Sequence, residues 1–81
     1  MKLEAPFVDA ARLLTSFALE PSLQVRFTDL HLRLHCSYER ALALRRIAGG
    51  PHHRARIATL QLARAVADVR AVLAAPLGQA A

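Results

Sequence analysis

Five consecutive residues, Gly49-Gly50-Pro51-His52-His53, limit what this chain can become more than any other feature. On either side of them lies a long stretch with helical periodicity and no internal breaker. Two glycines supply the backbone freedom with which a helix ends. Proline then fits the first turn of the next helix, where its missing N–H costs nothing. The expected architecture is two long arms folded back on each other, antiparallel because the connection is short. Gly49, Gly50, Pro51 and His53 form its turn.

The first arm carries Leu23, Phe27, Leu30, Leu34, Ser37, Ala41, Leu44 and Ala48, at spacings of 4, 3, 4, 3, 4, 3 and 4. That is a heptad seam with one polar member, Ser37. Ser22 is placed to cap it by accepting from a free N–H of the first turn. A helix over 22–48 would be about 40 Å long at 1.5 Å per residue. One stretch within it, Leu30 to Cys36, alternates strictly as a half-buried strand would. Its residues are not β-branched and the heptad continues on both sides, so helix is the expectation. After the turn, Ala55, Ala58, Leu62, Ala65, Val69 and Val72 repeat with the same period, widened by Leu60, Val66 and Leu73. Pro76 and Gly78 end this helix, giving 51–75 and a loose tail over 76–81. Ahead of both arms, Phe7, Ala10, Ala11, Leu14, Phe17 and Ala18 predict a short amphipathic helix over 6–19, which Glu20-Pro21 interrupts.

The fold expected is therefore all-α: one domain over 1–81, with a short N-terminal helix and a long coiled-coil-like hairpin. Composition agrees, since 54% of residues are hydrophobic and only 5% aromatic, with Ala and Leu carrying most of the total. A chain of 81 residues buries only about 60% of its unfolded surface, so association is a natural stabiliser. A second apolar stripe of Leu32, Cys36, Ala43 and Ile47 exceeds what one hairpin can cover. Leu32, Cys36 and Ile47 are accordingly the expected interface of a homodimer, built as a helical bundle.

The net charge is +5, and between Arg40 and Arg70 there are seven arginines against one acid, Asp68. Such a balance suits nucleic acid or an acidic protein surface. One cysteine excludes an internal disulfide and favours a reducing cytoplasm. The longest charge-free run, Ala71 to Ala81, is too short for a bilayer, which takes about 20 apolar residues. Lys2, Glu4 and Asp9 do not compose a secretory leader.

Catalytic patterns are poor. His31 and His35 share a helical face at the spacing of a metal pair, but His52 and His53 lie about 25 Å away along the helix. No closed metal site is expected, the histidines read as surface residues, and Cys36 reads as a small buried hydrophobe. There is no nucleophile-base-acid set, phosphate loop or carboxylate pair, so neither an enzyme nor a cofactor is expected. DNA binding has its own threading: a turn at His35-Cys36-Ser37 leading into a recognition helix from Tyr38 through Arg45. The segment Tyr38-x-Arg40-Ala41-x-x-Leu44 resembles the recognition helix of the FtsK gamma domain. Against it, the turn lacks a glycine and no wing strands follow.

Around the turn the sequence resembles the TraM family, quorum-sensing antiactivators that silence TraR, a LuxR-type activator of plasmid conjugation. The match is Gly49-Gly50-Pro51-x-His53, then Arg54 and Ile57; upstream, one ungapped register takes in Leu14-Thr15, Leu23, Asp29, Glu39, Ala41 and Leu44. Met1-x-Leu3-Glu4 also fits, and the likeness spans Leu14 to Leu73. The segment from Leu44 to Gly49 is shorter than in that family, and the last helix is richer in alanine and arginine. The resemblance implies a cytoplasmic all-helical dimer that binds a LuxR-type activator and keeps it from DNA without touching DNA itself. The contact groups expected on the arms are Asp29, Arg33, Glu39, Arg40, Arg54, Arg56 and Arg64. A co-chaperone or adaptor of a secretion apparatus is the other class such a hairpin fits.

Overall fold

Pro6 in a first turn and a proline straight after Glu20 bracket the opening helix, and the chain beyond is built from the same kind of element. A computed structural model describes residues 4–48 and 53–74, and its elements are α1 (Ala5–Leu19), α2 (Pro21–Arg26), α3 (Thr28–Ala48) and α4 (His53–Ala74). Among the described residues there is no strand: all of Leu30 to Cys36 belongs to α3. Gly49, Gly50, Pro51 and the tail over 76–81 lie outside the described residues, whereas His53 opens α4.

The helix expected over 22–48 is two helices, and the break falls at Phe27, with φ −125° and ψ 38°. The cause is one residue further on. The Thr28 hydroxyl donates to the carbonyl of Gln24, the acceptor that an unbroken helix would give to the Thr28 N–H. Such back-bonding by Thr bends helices. The ladder closes again immediately, with the His31 N–H donating to the Phe27 carbonyl at 2.8 Å. Ser22 is no cap either, because α2 begins one residue earlier, at Pro21, after an extended Glu20. The joint between α1 and α2 is satisfied differently. The Glu20 N–H donates to Ser16, and the Gln24 side-chain amide reaches back to the Phe17 carbonyl, one of the acceptors a helix end leaves open. The helix-turn-helix threading fails at its first requirement, since α3 runs unbroken through His35-Cys36-Ser37.

Side-chain burial follows the heptads closely. On α3, Leu34 and Ala41 are fully buried, and Leu23, Phe27, Leu30 and Leu44 pack half-buried around them. On α4, Ala55, Ala58, Leu62, Ala65, Val66 and Val69 turn inward. The small residues let α3 and α4 come close, and α1 lays Phe7, Ala10 and Phe17 over the pair. Two aromatic contacts set the line of α1. The Phe7 ring meets Tyr38 at 6.2 Å between centroids and carries the Arg45 guanidinium 4.3 Å above it. Phe17 meets the His31 ring at 4.9 Å. The start of α1 therefore lies beside the second half of α3 and its end beside the first half. Thr59 is the buried polar residue of the core, and its hydroxyl donates to the Ala55 carbonyl at 2.8 Å.

Two expectations about single side chains are corrected. Leu60, read as widening the inner face of α4, is 50% exposed, because it falls on the side of the helix away from Leu62. His31, read as a surface histidine, is half-buried under Phe17. Removing atoms where the packing is complete should be expensive. Leu34→Ala is expected to lower unfolding free energy by about 2–5 kcal/mol, whereas Leu32→Ala, one residue pair away on the outer face, should change it by less than about 0.5 kcal/mol. Urea titration followed by circular dichroism reads both, and similar values for the two would put the core on the wrong face of α3.

Candidate functional site

With the core side of each helix fixed, the remaining faces hold the groups available to a partner. All seven charged residues expected to make contacts are exposed: Asp29, Arg33, Glu39 and Arg40 on α3, and Arg54, Arg56 and Arg64 on α4. The fold does not bring all of them together. Arg40 and Arg54 meet across an open groove of about 420 Å³ between α3 and α4, whose floor is Ala43, Leu44 and Ile57. Arg33 lies one heptad before Arg40 and Arg64 one heptad after Ile57, so each continues an edge of that groove. Arg56 does not share it, because two helical residues separate it from Arg54 by about 200°. Asp29 lies instead at the joint of α2 and α3, in a shallow hollow lined by Val25 to Leu30. Glu39 stands on α3 outside both depressions.

The position of the groove follows from the sequence period. Tyr38 and Arg45, seven residues apart on α3, face α1, and the side holding Arg40 and Leu44 is left for the groove with α4. Periodicity gave the heptad but not this division, since the helix that covers one side is a matter of tertiary packing. Ile57 was legible only through its place in the family resemblance; its 41% exposure makes it an unusual surface residue for a β-branched aliphatic.

The stripe expected at a dimer interface also faces solvent. Leu32 and Cys36 are exposed, and Ile47 is 82% exposed. For Cys36 this corrects the expectation of a buried hydrophobe: it lies on α3 opposite Leu34 and Ala41, so nothing within the chain covers it.

A further hollow separates α1 from α4, with Pro6, Ala63, Val66 and Ala67 in its walls. At its edge Arg70 and Asp9 form an ion pair at 3.1 Å, with the arginine side chain 56% exposed. A pair so open to water adds little stability. His31 and His35 hold their ring centroids 6.4 Å apart. Among the described residues no three His, Cys, Asp or Glu side chains gather to hold a metal ion, and no buried side-chain nitrogen or oxygen lacks a hydrogen-bond partner. No described helix is long and apolar enough to cross a membrane. No protein-family model, curated protein or solved structure matches the chain.

The arginines of the groove contribute to its charge and not to its architecture. Arg33→Ala, Arg40→Ala and Arg64→Ala should each leave unfolding free energy within about 0.5 kcal/mol of the parent. A loss of several kcal/mol in chemical denaturation for any of them would mean that the side chain belongs to the core instead.

Proposed function

We propose that the protein is a helical antiactivator: it binds a LuxR-type transcription activator and keeps that activator from holding DNA. One observation carries the reading. The two long helices leave an apolar floor between arginine edges, Ala43, Leu44 and Ile57 between Arg40 and Arg54, which suits a protein side chain better than a phosphate backbone. The likeness of Gly49-Gly50-Pro51-x-His53 and its flanks to the TraM antiactivators gives that protein a name by class. In this reading α3 and α4 are the arms of an antiparallel hairpin closed by that turn, and the protein works without chemistry of its own.

The arms act as a dimer, with the exposed stripe of Leu32, Cys36 and Ile47 on one copy covered by the same stripe of a second. Removing those side chains from water favours association by roughly 25 cal/mol per Å². Inhibition then follows from geometry. A two-fold activator needs its reading heads at one fixed separation, so a partner that binds better to a conformer with other spacing draws the population away from DNA.

The expected outcome in a gel-shift assay is that the protein releases DNA from a preformed activator–DNA complex and gives no shift with DNA alone. A salt-dependent shift with DNA alone would show direct phosphate contact and defeat the proposal. No effect in either arrangement would favour the adaptor class. For assembly, Ile47→Asp should convert the dimer into a helical monomer in sedimentation experiments, since a charge there cannot be buried without a partner. A parent protein that stays monomeric at high concentration would remove the dimer.

A further inference from the structure

We propose that the groove between α3 and α4 seats a single amphipathic helix of the partner protein, one that carries Leu- or Ile-like side chains on its inner face and Asp or Glu along both edges. This rests on the reading above only in assigning that helix to the activator; the chemistry of the groove stands on its own residues.

The floor is apolar and partly open. Leu44 is half-buried, Ala43 is exposed, and Ile57 leaves 41% of its surface in water. An aliphatic side chain entering there removes apolar area from water on both partners, while the alanine lets a backbone approach closely. The edges are both basic. Arg40 rises from α3 and Arg54 from α4, and no acidic residue lines the groove between them. A guanidinium meets a carboxylate through two parallel N–H donors, so each edge selects Asp or Glu and rejects Lys or Arg. Arg33 and Arg64 extend the two edges along their helices, which makes the basic character run with the groove and not across it. A long, narrow, apolar track between two cationic rails matches a helix with one apolar stripe and acidic flanks. Duplex DNA would meet only the rails, leaving the floor against phosphate and water.

The experiment uses the whole protein and a displayed library of short helices with leucine fixed on one face and the flanking positions free to be Glu, Lys, Gln or Ala. Selection should enrich helices with Glu on both flanks, and their affinity for Arg40→Glu and for Ile57→Ser should fall at least about tenfold. Both positions are exposed, and unchanged helical circular dichroism shows that each variant keeps the fold. Enrichment of Lys-flanked or uncharged helices, no enrichment at all, or binding that both variants leave intact would overturn the assignment; so would displacement of the selected helices by duplex DNA. The same two variants in the activator gel shift separate the two ideas. If they release DNA as well as the parent does, the groove is not the contact and the antiactivator reading survives. If the selected helices need the groove but the parent never releases DNA, the groove stands and the antiactivator reading falls.

Discussion

The close approach of α3 and α4 across alanine is the constraint on which the remaining packing depends. Ala41 of α3 and Ala55, Ala58 and Ala65 of α4 are all buried, and their methyl groups allow the two backbones to lie near each other. Such a seam is dense but thin. The bulk is supplied from elsewhere, and Phe17 of α1 is the largest fully buried side chain in the core. Without α1, the sides of Leu34, Leu62 and Val66 that complete this core would have only water to meet. The N-terminal helix is thus a structural third of the core and not an appendage. Its two phenylalanines occupy the space that short side chains on the arms leave unfilled.

The same arrangement decides which surfaces remain for binding. Because α1 occupies the side of α3 that carries Tyr38 and Arg45, the opposite side of the α3–α4 pair stays open and keeps Arg40 and Arg54 at its edges. The outer stripe of α3, through Leu32, Cys36 and Ile47, faces a third direction. An assembly through that stripe and a contact through the groove use different faces of one helix, so neither excludes the other.

Much of the fold was legible in the sequence because helical burial is periodic. The seam through Leu34 and Ala41 and the run from Ala55 to Val69 point inward as their spacing requires. Where the heptad was extended furthest, it drifted: Val72 is 38% exposed, while Leu73 one step on is half-buried. A helix of 3.6 residues per turn slips by about 20° per heptad, and the inward position moves to the next residue. The joint at Phe27 was hidden for another reason. Thr28 takes the Gln24 carbonyl with its hydroxyl, a competition within the backbone that leaves the hydrophobic pattern untouched. At the candidate site the residue types were readable but their partners were not. That Arg40 faces Arg54 while Arg56 turns away follows from how α4 is rotated against α3, which depends on alanines far along both helices.

The way α1 is held also sets an order of assembly. Asp9 and Arg70 bridge nearly the full described length of the chain, so that contact closes a far larger loop than any between α3 and α4. Loop closure costs entropy that grows with length, and nearby segments pair first. During synthesis α1 is the first helix to leave the ribosome, yet the surface that receives it is complete only once α4 has been made. For that interval Phe7, Ala10 and Phe17 have no permanent cover. A newly made chain passes through a sticky stage that lasts until its last helix arrives, and slow synthesis of α4 would lengthen the time in which two such chains can meet.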